Sequence, residues 1–305
     1  MERLKHLLGI DELDPAQINQ ILDRAQYYAE GLAMGKWDHG LLQGKVILHL
    51  FFEHSTRTLT SFELAAKRLG ADVINWNPET SSLSKGESFT DTIDTLSAMN
   101  PDAIVMRHSD FGAPKFVAAR AGCPVINGGD SWREHPTQAL LDALTMRQTF
   151  GGFAGLTVTI VGDIAHSRVA SSNMQLLTKM GANVRVVAPD ILMPEKLVVD
   201  NVTKFNALED ALPGSDVVMT IRLQKERMDT ADIPSDAAYY NEFGIKLEMI
   251  DRLCPKAVVM DPGPLVRGVQ MEDALAEDPQ RSLILKQVAN GIPTRMAVLD
   301  MLVGG

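Results

Sequence analysis

Cysteine is almost missing from this sequence of 305 residues, with Cys123 and Cys254 the only two. So far apart, they build neither a disulfide framework nor a zinc site. Both border apolar strand-like runs and read as buried thiols of a reducing compartment. Also missing is any block of basic charge. Basic residues number 29 against 39 acidic ones, a net charge of −10, so nucleic acid is not an expected partner. No apolar stretch approaches the roughly 20 residues of a membrane helix. The N-terminal MERLKHLLGIDELDPAQ lacks the apolar core and small-residue cleavage site of a signal peptide. These absences lead us to expect a soluble cytoplasmic protein with no membrane partner. Repeats and low-complexity segments are missing as well. A dinucleotide fingerprint is absent too: after the strand-like TVTIVGD, Gly162 is the lone glycine where G-x-G-x-x-G would be needed.

Apolar residues are abundant. At 45% of the chain they support a full core, and the length suits two domains. The chain is organised around residues 45–70, KVILHLFFEHSTRTLTSFELAAKRLG. Lys45 to Phe52 is of strand length, rich in Val, Ile, Leu and Phe, and lacks the alternation of a half-exposed strand. From Phe62, apolar residues recur at helical spacing through Ala65, Ala66 and Leu69, and Gly70 stands where a helix would end. Ser55-Thr56-Arg57-Thr58 thus falls where a buried strand turns into a helix N-terminus. Free N–H groups and the positive dipole end favour an anion there, and hydroxyls with a guanidinium suit a phosphate dianion. The plainer alternative is that Ser55 caps the helix and Arg57 is solvated.

Elsewhere helical and strand patterns alternate. A helix is expected from Asp14-Pro15 through Ala25, with strands at 71–76, 102–106 and 122–126. A further helix starts at His135-Pro136-Thr137-Gln138 and stops at Gly151-Gly152. A second run brings a strand from Leu156, a helix entered through IAHSRVASS, strands at 184–188, 216–220 and 258–260, and a terminal helix over 291–302. Residues 78–91, PETSSLSKGESFTD, read as a surface loop before a helix. The alternation predicts an α/β fold of two domains, each a parallel sheet flanked by helices, joined by interdomain helices. Ligands bind such sheets at the carboxyl ends of the strands. Arg57, Arg107 and the 127–130 stretch all lie at such ends.

The stretch F-x-x-S-T-R-T followed by S-F-E resembles the phosphate-binding signature of the aspartate/ornithine carbamoyltransferase family. Other motifs follow in that family's order: Ser81-Ser82 with Lys85-Gly86-Glu87, Arg107 at a strand end, H-P-T-Q at 135–138, Gly162-Asp163 leading to Ser167-Arg168, R-x-Q-K-E-R at 222–227, and Pro262-Gly263-Pro264. The resemblance covers nearly the whole chain. It implies a carbamoyl phosphate-binding domain over 1–145, an acceptor-binding domain over 146–289, and a C-terminal helix, 290–305, packing back on the first. Three positions depart from the family pattern: His54, Leu59 where a second arginine is frequent, and Asp261 where histidine is usual. His54 and Asp261 flank two turns of the implied site and are candidates for a hydrogen-bonded pair.

The resemblance implies carbamoyl transfer to an amine. Ser55, Thr56, Arg57, Thr58 and Arg107 would hold the phosphate. Thr58, Arg107 and His135 would polarise the carbonyl oxygen. Gln138 and the carbonyls around Pro262, Gly263 and Pro264 would accept from the carbamoyl NH2. Arg57, Thr58, Arg107 and His135 are thus the implied catalytic set. Lys85, Arg168 and Arg222, with a hydrogen bond from Gln224, suit the two carboxylates of L-aspartate better than ornithine. The product would be N-carbamoyl-L-aspartate, for pyrimidine synthesis. In the family the Ser81–Lys85 loop enters a neighbouring subunit's site, implying a homotrimer with shared sites; some relatives also pair with regulatory or dihydroorotase chains. No metal or organic cofactor is called for. An ornithine-type enzyme would usually carry H-C-L-P at 261–264. A non-catalytic assembly subunit of the same fold would rest on His54 and Asp261 alone.

Overall fold

The computed structural model describes residues 4–228 and 234–304. They form two compact units, Met1–Leu144 with Asn290–Gly305, and Thr145–Ala289.

The first unit opens with helix α1 (Pro15–Met34). Its start is fixed by Asp14, which accepts from Gln17 N while the Gln17 side chain reaches back to Asp14 N. Its end is fixed by Gly35 in the left-handed conformation. Then follow β1 (Val46–Phe51), α2 (Thr56–Arg68), β2 (Asp72–Trp76), α3 (Phe89–Ala98), β3 (Ala103–His108), α4 (Ala113–Ala118), β4 (Val125–Asp130) and α5 (Pro136–Phe150), which continues into the second unit. The strands form one parallel sheet in the order β2-β1-β3-β4. Leu48, Leu50, Ile104, Met106 and Val125 pack on one face against Ile93, Leu96 and Val117. On the other face His49 meets Phe62 of α2.

Helix α2 starts at Thr56 with Ser55 at its cap position, in keeping with the S-T-R-T turn read as a helix N-terminus. Other boundaries differ from the sequence expectation: the terminal helix begins at Ile284 rather than at 291. β4 runs on through Asn127-Gly128-Gly129 to Asp130 instead of stopping at 126. Asn127 makes this possible: it donates to Leu8 O at 2.7 Å and accepts from Gly129 N at 2.7 Å. Residues 78–85, expected as loop, form two short 3-10 turns, capped by Asn77 and Ser81.

The second unit contains β5 (Thr157–Gly162), α6 (Arg168–Lys179), β6 (Asn183–Val187), β7 (Val202–Phe205), α7 (Leu208–Ala211), β8 (Val217–Ile221), α8 (Asp236–Phe243), α9 (Leu247–Leu253), β9 (Val258–Met260), α10 (Asp273–Ala276) and α11 (Ile284–Val303), whose later part belongs to the first unit. The sheet is parallel, in the order β7-β6-β5-β8-β9. β7, on the sheet edge, was not anticipated. Gly162 has φ +136, and a Cβ there would lie 2.0 Å from Ile221 O. No side chain fits where β5 meets β8.

Each sheet reverses its winding once, between β1 and β3 in the first unit and between β5 and β8 in the second. In open parallel sheets such a reversal leaves a crevice at the carboxyl ends of the two strands. Of the two thiols, Cys254 is buried and Cys123 only half-buried, contrary to the sequence expectation. Burial pushes both up to about 11, so both are protonated and unreactive at neutral pH. No helix among the described residues is long and apolar enough to cross a membrane.

Candidate active site

The crevice of the first unit holds the S-T-R-T turn. Phe51 pairs with Arg107 across β1 and β3, so the turn after β1 and the end of β3 lie on the same rim. Ser55 occupies the cap position of α2 in extended conformation, yet its side chain makes no capping hydrogen bond. Its hydroxyl is therefore not spent on the helix, as the plainer alternative required, and the first-turn N–H groups remain the positive end of a dipole. Arg57 is exposed and Thr58 buried. Thr58 Oγ1 lies 3.5 Å from Nε2 of His135, just ahead of α5. One helical turn later Gln138 donates to Asp142 Oδ1 at 2.9 Å.

Arg107 is held by a residue the sequence did not single out. Glu53 Oε2 lies 3.2 Å from Arg107 Nε, and Nη1 donates to Gly128 O at 3.4 Å. A search for cations around an anion site passes over such an acid. Next to Arg107, His108 packs tilted against Phe52 and edge-on against Phe89, at 4.6 and 5.2 Å between ring centres, and burial lowers its pKa. It is a packing histidine. In the 82–85 turn, Ser81 Oγ donates to Pro78 O at 2.7 Å, whereas Lys85 is exposed.

The crevice of the second unit gathers the loops after β5, β8 and β9. Arg168 opens α6 and is buried, with Ser167 capping the helix through Ala170 N at 3.2 Å. Asp163, fully buried, accepts from Gln224 N at 3.0 Å and from His166 N at 3.1 Å. Arg227 Nη1 in turn donates to His166 O at 2.8 Å. Arg222 is paired in fork fashion with Glu226, Nη1 to Oε2 at 3.0 Å, and draws that carboxyl below its usual range.

Asp261 ends the β9 edge of this crevice. Its carboxylate accepts from Thr220 Oγ1 at 2.6 Å, Gln270 Nε2 at 2.6 Å and Gly263 N at 2.7 Å. It thereby fixes the Pro262-Gly263-Pro264 turn, whose Gly263–Pro264 bond is cis. His54 is 99% exposed, with Glu79 at 3.8 Å. Each side chain thus has partners within its own unit. Burial first, then the charges of Asp163 and Asp261, push the Tyr239 phenol upward. Among the described residues no cluster of three or more His, Cys, Asp or Glu side chains could hold a metal ion.

Comparison with known proteins gives the same two halves. Residues 5–148 match the family model for the aspartate/ornithine carbamoyltransferase carbamoyl-P binding domain, and residues 154–302 that for the Asp/Orn binding domain. The aspartate carbamoyltransferase catalytic subunit of Granulibacter bethesdensis is 50% identical over 297 residues, spanning 97% of this chain and 94% of its own. That of Acidiphilium cryptum is 50% identical over 298 residues, spanning 98% and 96%. Among solved structures, aspartate transcarbamoylase from Trypanosoma cruzi with carbamoyl aspartate and phosphate is 33% identical with a TM-score of 0.88, covering 98% of this chain and 96% of that one. The M. jannaschii catalytic subunit is 34% identical with a TM-score of 0.85, covering 98% of both.

Proposed function

The chain belongs to the aspartate/ornithine carbamoyltransferase family, and on that premise we propose how its own residues carry out the reaction. It is an aspartate carbamoyltransferase: it moves the carbamoyl group of carbamoyl phosphate to the amine of L-aspartate, giving N-carbamoyl-L-aspartate and phosphate. The observation that carries the residue assignment is the S-T-R-T turn, with Ser55 uncommitted to capping and Thr58 beside His135 at the winding reversal.

The first-turn N–H groups of α2, Ser55, Thr56, Arg57, Thr58 and Arg107 hold the phosphate. Thr58, Arg107 and His135 donate to the carbonyl oxygen and stabilise the oxyanion formed when the amine attacks. Gln138 and the carbonyls of the Pro262-Gly263-Pro264 turn accept from the carbamoyl NH2. Lys85, Arg168 and Arg222 take the two carboxylates of aspartate, and Gln224 adds a hydrogen bond. The bond from carbon to the phosphate oxygen then breaks, and the departing phosphate takes up the amine proton. No covalent enzyme intermediate is involved, so rate comes from positioning and charge. Glu53 on Arg107 and Glu226 on Arg222 serve as built-in counter-anions, to be exchanged for substrate anions.

The working assembly in this reading is a cytoplasmic homotrimer in which Ser81 and Lys85 act in the neighbouring subunit's site. The exposed position of Lys85 on a surface turn supports this. The deciding test is a colorimetric assay for ureido products with L-aspartate and L-ornithine offered separately. Product with aspartate alone is expected; product with ornithine alone would overturn the acceptor assignment.

A further inference from the structure

Arg295 has no place in the chemistry above, yet it is a charged side chain only 3% exposed. It projects from α11 at one helical turn from Gly291, whose carbonyl accepts from Arg295 Nη1 at 3.0 Å. A Cβ on Gly291 would come within 2.8 Å of that same nitrogen and 3.7 Å of Leu141 on α5. The missing side chain is what lets the guanidinium lie between α11 and α5. Its Cζ stands 4.9 Å from the ring centre of Phe62, on the helix that begins with the S-T-R-T turn. Burial lowers its pKa to about 10 and the charge of Asp142 raises it, so it is a cation at neutral pH within the field of Asp142.

Asp142 is fully buried and accepts from Gln138 Nε2. An amide side chain has one donor end and one acceptor end, and an ionised carboxylate can only accept. Gln138 must therefore turn its NH2 toward Asp142, one turn along the same helix. Its oxygen then points the other way. A neutral partner at 142 would not impose this polarity, and an uncompensated carboxylate would be costly at a fully buried position. Arg295 supplies the compensation.

We propose that Asp142 and Arg295 are positioning residues that orient the Gln138 amide with its oxygen toward the carbamoyl NH2, and so select carbamoyl phosphate over acyl phosphates lacking that group. This rests on the functional reading given above. The probe is acetyl phosphate, which carries a methyl in place of NH2 and is otherwise alike in shape and charge. We compare its competitive inhibition constant with the KM of carbamoyl phosphate in the wild-type protein and in Asp142→Asn, Arg295→Met, Arg295→Lys and Gln138→Met. Loss of one hydrogen bond from a buried group changes such a preference about tenfold or more. Asp142→Asn and Arg295→Met are expected to lose the preference for carbamoyl phosphate to the extent that Gln138→Met does, with acetyl phosphate binding little changed. Arg295→Lys, which keeps the charge, is expected to recover part of it. A merely structural role would weaken both ligands alike, and an unchanged ratio in active Asp142→Asn protein overturns the inference while leaving the functional reading in place. Should Arg295→Met fail to fold, the isosteric Asp142→Asn and the conservative Arg295→Lys still decide. Absence of wild-type turnover with aspartate would overturn both.

Discussion

Asp163 accepts the backbone N–H of Gln224 at 3.0 Å and ties the loop after β5 to the loop after β8. These two loops carry Arg168 and Arg222, so this one carboxylate fixes the spacing of the cations assigned to aspartate. Asp163→Ala would leave that half-buried N–H without its acceptor, at a cost of about 1 kcal/mol. We expect the KM for aspartate to rise about tenfold or more, with the KM for carbamoyl phosphate nearly unchanged. Steady-state kinetics with each substrate varied in turn provide the check. Parallel losses for both substrates would contradict it.

Arg57→Ala should leave the fold intact, because the side chain is exposed and α2 does not depend on it for capping. Turnover should fall on the order of a hundredfold or more, as for the loss of one donor to a developing charge. Circular dichroism and the carbamoyl-aspartate assay together decide. A folded variant with near-normal activity would remove Arg57 from the phosphate site.

His49 lies in the middle of β1, buried on all sides, with Nδ1 2.8 Å from Asn75 Oδ1. Burial lowers its pKa from 6.5 to about 4. Between those values the unfolded chain takes up a proton that the folded chain refuses. The contribution of His49 is therefore complete above 6.5 and is lost as pH falls toward about 4, at up to about 1.4 kcal/mol per pH unit. In His49→Phe the drop in urea midpoint between about pH 7 and about pH 5 should shrink. His6 and His108, also lowered by burial, keep the remainder. An equally steep drop in the variant would show that His49 is not the group responsible.

If Lys85 acts in a neighbouring subunit, Lys85→Ala and His135→Ala proteins should each be inactive alone. Reversible dissociation and mixing should then restore part of the activity. A mixed trimer contains sites that keep their own His135 and receive Lys85 from the other chain. Verified subunit exchange with no recovered activity would rule out sharing.

The strand–turn–helix at the centre was legible because VILHLF is a continuous buried run and S-T-R-T is a rare polar cluster in that setting. The start of α11 was not legible, since its first turns carry the exposed Leu285 and Val288 and show no apolar stripe before Gly291. β7 escaped because Val202–Phe205 is a short edge strand whose middle residues are exposed, so no apolar run marks it. In the candidate site, the sequence drew attention to cations and gave no role to the acids that hold them. Glu53, Asp142 and Asp163 act on arginines, amides and backbone rather than on substrate, and sequence spacing carries no trace of partners as distant as Asp163 and Gln224.

The single reversal of winding in each sheet has an evolutionary consequence. In the proposed assignment donor ligands come mainly from the turns after β1 and β3 and acceptor ligands mainly from the turns after β5 and β8, with Lys85 of the first unit and the Pro262-Gly263-Pro264 turn of the second as the exceptions. Each set hangs on its own framework of buried strands. On that assignment a lineage that changes its amine acceptor edits the second set and position 85, and leaves the phosphate turn untouched.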